Sequence, residues 1–174
     1  MAKEIKQDYK QDQLTRVLLF IYLIVLAWII LFKMGVSFSY MEERRINLIP
    51  FANGYYSLTE TIMNVVIFIP LGLYAGILFR RKTFAWVVLF FFLVSLIVES
   101  LQVIIKTGTF DITDLLTNTT GGIIGYLFIW LFEKIASSPL RVQKIMNILA
   151  SLSTVIIISL LALLKLNMLP VRFQ

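Results

Sequence analysis

The stretch Thr83–Ile105, TFAWVVLFFFLVSLIVESLQVII, decides the fold. It holds no charge before Glu99 and is long enough to cross the roughly 30 Å hydrocarbon layer of a bilayer, which takes about 20 helical residues. Apolar side chains fall on every face of such a helix, so no side of it is suited to water. Working outward, four further blocks of the same kind appear: Val17–Phe32, Ile62–Phe79, Asp114–Phe132 and Ile145–Leu164. The spacing predicts an all-α, polytopic transmembrane bundle of about five helices.

Composition agrees. Of 174 residues, 59% are apolar and only 15% charged, against about 25% charged in an ordinary soluble domain. Mean hydropathy is +0.88. The first apolar block follows a Lys/Asp/Gln-rich stretch, as a signal peptide would. No small-x-small cleavage site follows it, however, and it ends at Lys33 among bulky residues, which identifies it as a span. With no Cys and no His, disulfides, thiol chemistry and imidazole catalysis are excluded, and so are the commonest zinc ligands. No cofactor motif is present.

Orientation follows from the basic residues beside the spans. With the N-terminus inside, the cytoplasmic segments hold Lys3, Lys6, Lys10, Arg16, Arg80, Arg81, Lys82, Lys134, Arg141 and Lys144. The outer segments hold Lys33, Arg44, Arg45, Lys106, Lys165 and Arg172. This excess predicts N-inside and C-outside, with the tight Arg80-Arg81-Lys82 turn as its strongest element. The inner side then carries the whole net charge of +6. Anionic inner-leaflet lipid accounts for that charge without any nucleic-acid partner.

The polar residues inside the apolar blocks are unevenly placed. Glu99 and Gln102 are three apart and share a helix face. Glu99 lies six residues before Ile105, about 9 Å below the helix end. A carboxylate at that depth is costly, so it belongs toward the bundle and marks a functional position. The following loop carries Asp111 and Asp114, with Asn118 one turn beyond Asp114. Asp111 reads equally as a helix cap or as a ligand contact. In the second span, Asn64 is about one turn from the start. Pro70 frees the Val66 carbonyl, and Pro50 disfavours helix at Ile49 in the segment before that span. Gly72/Gly76 and Gly121/Gly125 are small-xxx-small pairs that read as packing. Gln102 and Asn118 either bind a ligand or satisfy their neighbours. Arg44, Arg45, Asn47, Asn64, Glu99, Gln102, Asp111, Asp114 and Asn118 all map to the outer third, so one polar cluster is expected there.

These residues resemble the VanZ family. The matching elements are Arg45-x-Asn47-Leu48-Ile49-Pro50-Phe51, Asn64 with Phe68-Ile69-Pro70-Leu71-Gly72, Glu99-x-x-Gln102, and Phe110-Asp111-Ile112-x-Asp114 with Asn118-Thr119-x-Gly121. The resemblance covers about Val17 to Lys134. It divides the chain into a cytoplasmic tail over residues 1–13, a four-helix membrane domain over 14–136 and an additional helix within 137–174. It implies a bacterial plasma-membrane protein that lowers susceptibility to teicoplanin or related lipoglycopeptides. An outward polar pocket would bind or shield an anionic lipid, a lipid-linked wall precursor or the antibiotic. Family members often carry an Arg just before the acidic loop. This chain has Gly108-Thr109 there, leaving Lys106, Arg44 or Arg45 to supply a cation. Two other readings stay open: an enzyme on a lipid-linked substrate, with Glu99, Asp111 and Asp114 as acid/base groups or Mg²⁺ ligands, and a proton-coupled transporter titrating Glu99.

Overall fold

A computed structural model describes residues 2–32, 46–51, 57–105, 108–136 and 138–165. Five α-helices account for nearly all of them: α1 Ala2–Phe32, α2 Leu58–Leu78, α3 Phe84–Ile105, α4 Ile112–Ala136 and α5 Pro139–Lys165. Each contains a segment long and apolar enough to cross a membrane. The expected multi-pass bundle is therefore what the chain forms. The first helix begins well before the apolar block, because the stretch ahead of it holds good helix formers and neither Gly nor Pro.

The bundle is organised around α2 and α4, its closest-packed pair. Glycine is what permits the approach. A Cβ on Gly72 would stand 2.0 Å from the Gly122 carbonyl oxygen, and one on Gly125 would stand 2.1 Å from that of Ile69. Gly121 is as confined, 2.2 Å from the Val65 carbonyl oxygen. Gly72, Gly121 and Gly125 thus form one backbone-on-backbone seam, the geometry small residues allow in membranes, while Gly76 makes room for the Ile129 side chain of α4. Beside it, Phe68, Leu71 and Ala75 of α2 form a buried core with Val87 and Phe91 of α3 and Leu26 of α1.

Pro70 leaves α2 continuous. The carbonyl served from outside near it is that of Ile67, to which the Tyr22 hydroxyl of α1 donates at 2.6 Å. This fastens α1 to α2 at mid-helix.

α5 is held by a buried polar seam against α1. The Thr15 hydroxyl donates to Asn147 Oδ1 at 2.9 Å. Gln143 Nε2 donates to Asp12 Oδ1 at 2.8 Å and to Thr15 Oγ1 at 3.1 Å, while Asn147 Nδ2 donates to Gln11 Oε1 at 2.8 Å. Thr15, Gln143 and Asn147 are all fully or almost fully buried. At the same end, Arg80 joins the α2–α3 turn to α4 and α5. Its Nε meets Glu133 Oε1 at 2.7 Å, and its guanidinium also donates to Gln143 Oε1 and the Pro139 carbonyl.

Candidate functional site

The opposite end of the bundle carries a second polar assembly. Two short strands pair in parallel there: β1, Ile46–Asn47, ahead of α2, and β2, Phe110–Asp111, ahead of α4. Ile46 stands opposite Phe110 and Asn47 opposite Asp111. This pairing brings the start of the Asn47-Leu48-Ile49-Pro50-Phe51 segment against Phe110-Asp111.

Asp111 makes the connections at the centre. Its Oδ1 accepts from the Thr113 amide at 2.7 Å, which caps the first turn of α4. Its Oδ2 accepts from Asn47 Nδ2 at 3.0 Å. Its own backbone N–H donates to Glu99 Oε2 at 3.3 Å. The spacing Asp111-x-x-Asp114 suggests a reciprocal capping box, yet here the carboxylate that reaches the cap's N–H comes from α3. Asp114 turns instead to α2, where its Oδ1 accepts from Asn64 Nδ2 at 2.7 Å. The Thr113 hydroxyl accepts from the Phe51 amide at 3.0 Å and ties down the residues after Pro50. Phe51 has a φ of 54°, a value bulky residues rarely adopt.

Glu99 is only 2% exposed, as expected for an acid facing the bundle. Gln102, three residues on, is buried with it. Asn118 Nδ2 donates to Ser95 Oγ at 3.0 Å, whereas its Oδ1 is buried without a hydrogen-bond partner. An acceptor left in that state costs about 1–3 kcal/mol.

These side chains line one cavity of about 270 Å³. Asn64, Glu99, Gln102, Asp111, Asp114 and Asn118 all contribute to its wall, joined by Glu60, Thr109 and Thr113. Asn47 reaches the wall through Asp111. Arg44 and Arg45 lie outside the described residues, as does Lys106. Six of the nine residues singled out in the sequence therefore line the cavity directly, and a seventh stands behind it. Among the described residues the lining has four acids and no Lys or Arg, so that part of the wall presents acceptors. No three acids there are placed to hold a metal ion together.

Sequence reading missed Ser95, Thr113 and Glu60. Ser95 is detectable in hindsight, because it lies one helical turn before Glu99 on the same face of α3. Thr113 and Glu60 carry no such signal, since a Thr or Glu in a first helical turn is ordinary.

With this geometry in view, comparison with known proteins is informative. A family model described as VanZ/LLP1 matches residues 19–133. The chain belongs to that family. Protein VanZ of Enterococcus faecium is 42% identical to it over 117 residues, which span 64% of this chain and 71% of that protein. No solved structure matches. The VanZ/LLP1 match takes in the second half of α1 from Leu19, all of α2 and α3, and α4 as far as Glu133, the elements that build and support the cavity. Most of the fastening between α1 and α5 falls outside it.

Proposed function

We propose that this VanZ-type protein resides in the bacterial plasma membrane with its N-terminus in the cytoplasm. There it lowers susceptibility to teicoplanin by engaging a polar group in the cavity beneath Asp111. That group belongs to an anionic lipid, a lipid-linked wall precursor or the antibiotic itself. Arg44 and Arg45 immediately precede the paired strand Ile46–Asn47 and supply the positive charge, since Arg recognises phosphate and carboxylate groups through paired hydrogen bonds.

One observation carries this reading: acids and amides from α2, α3, α4 and the two strands converge on a single cavity. Buried ionisable groups in a membrane bundle are expensive and mark functional positions by default. A purely structural cluster would satisfy every member, whereas the buried Asn118 Oδ1 is left without a partner beside the cavity. The identity shared with Protein VanZ supports the same reading. Binding is favoured over turnover because the chain has neither Cys nor His, the residues that most often act as nucleophile or general base.

The test compares teicoplanin susceptibility of bacteria carrying the wild-type chain, Glu99→Gln or Arg45→Ala, at matched membrane levels. Protection is expected to vanish in both variants. Unchanged protection by well-expressed Glu99→Gln protein would overturn the proposal.

A further inference from the structure

A second cavity lies at the other end of the bundle, between α1, α2 and α5. It measures about 300 Å³ and is walled chiefly by hydrocarbon and aromatic side chains, among them Tyr22, Pro70, Tyr74, Met146, Ala150 and Ile157. Its span along α2 can be placed by helical rise. Tyr74 is six residues from Arg80, about 9 Å along the axis, and Pro70 is ten residues away, about 15 Å. The cleft thus runs from just beneath the charged end of α2 to roughly the midplane of a layer about 30 Å thick. At that depth the surrounding molecules are lipid chains.

Two features distinguish this cleft from a bare apolar groove. The Tyr22 hydroxyl is satisfied by the Ile67 carbonyl, but that of Tyr74, whose ring sits 5.7 Å from Tyr22's, has no hydrogen-bond partner among the described residues. A hydroxyl in hydrocarbon without an acceptor is unfavourable by a few kcal/mol. The adjoining end of the bundle is also strongly basic. Arg16, Arg80, Arg81, Lys82, Arg141 and Lys144 belong to this end, where Asp12 and Glu133 are the acids with described side chains. Arg80 is engaged by Glu133, whereas Arg16, Arg81, Arg141 and Lys144 have no ion-pair partner among the described residues.

We propose that the α1–α2–α5 cleft is a binding site for one anionic diacyl phospholipid. Its phosphate rests on the basic end, an ester carbonyl accepts from the Tyr74 hydroxyl, and one acyl chain lies along the cleft past Pro70. The three chemistries follow one another in the order and over the depth that a phospholipid presents them. Because α5 forms one wall, the site depends on a helix beyond the VanZ/LLP1 match. It is independent of the cavity beneath Asp111.

Native mass spectrometry of the full-length protein in mild detergent tests this, with phosphatidylglycerol or phosphatidylcholine of identical chains added. The wild type is expected to retain one phosphatidylglycerol in preference to phosphatidylcholine. Ala150→Phe, which fills the cleft, should lose that retention, while Val66→Phe on the exposed face of α2 should keep it. Lys144→Ala and Arg141→Ala should each weaken the preference about fivefold, corresponding to about 1 kcal/mol per cation near an anionic surface. These two keep the proposal testable if Ala150→Phe does not fold. Equal retention of the two lipids, or undiminished retention in folded Ala150→Phe protein, would overturn it. Conversion of a dimer to a monomer by Ala150→Phe, with lipid retention unchanged, would give the cleft to a second copy of the chain.

Discussion

Asp111 shows how one residue can be both a cap and a connector. The sequence left its role divided between helix capping and ligand contact. In the structure its side chain caps α4, holds Asn47 and lines the cavity, so the alternatives are not exclusive. The cap makes a separable prediction. Asp111→Ala should lower stability in detergent by about 1–2 kcal/mol, the usual range for a lost N-cap. Asp111→Asn should retain most of it, because Asn caps as well as Asp. Thermal unfolding of both variants checks this, and equal losses would assign the effect to the charge. Glu99 differs from Asp111 in that its depth alone announced it. A carboxylate six residues inside a hydrophobic helix has few inexpensive environments. Asn118 lies between these cases. Its position one turn past Asp114 was legible, but its partner Ser95 comes from α3 and required the packed helices.

Among the elements, the α2–α4 seam sets the shape of the cavity. Asn64 and Asp114 can meet at 2.7 Å because glycines lower on the same two helices let their backbones touch. Gly125→Ala would place a methyl group 2.1 Å from the Ile69 carbonyl oxygen and 3.0 Å from Gly72 Cα. Backbone cannot give way as a side chain does, so the helices must separate. The expected loss is about 3 kcal/mol or more, at the upper end for overpacked sites. Gly108→Ala is the matching control. Its nearest neighbour is the Gln102 side chain at 3.4 Å, and it should stay close to wild type. Thermal unfolding and size-exclusion profiles of the two variants test the contrast. The α5 helix illustrates a different kind of attachment. Interhelical hydrogen bonds in membranes contribute about 0.6–2 kcal/mol each, and the Gln11, Asp12, Thr15, Gln143 and Asn147 group supplies several. None of these residues stood out in the sequence, since Gln, Thr and Asn near helix ends are common there.

For the molecule as a whole, the two ends differ in chemistry. One carries Glu60, Glu99, Asp111 and Asp114 around a polar cavity, and the other carries the Arg80-Arg81-Lys82 turn and the α1–α5 seam. The distribution of Lys and Arg predicts that the basic end lies in the cytoplasm, and the absence of native Cys makes this prediction easy to check. In intact cells, Thr59→Cys at the cavity end should react with a membrane-impermeant maleimide. Arg81→Cys should react only after permeabilisation. The reverse pattern would turn the cavity toward the cytosol and remove the basis for an action on external wall chemistry.

The membrane class, the helix count and the separation of polar residues into ends were determined by the sequence alone. They depend on local quantities, namely the length of each apolar run and the placement of charge within it. Tertiary structure decided which polar groups meet. The pairing of Asn47 with Asp111, the reach of Glu99 to the start of α4, the service of Ile67 by Tyr22 and the docking of α5 join residues far apart in the chain. Each depends on how helices rotate and approach, which small residues permit but do not direct, so their contacts emerge only when the bundle is assembled.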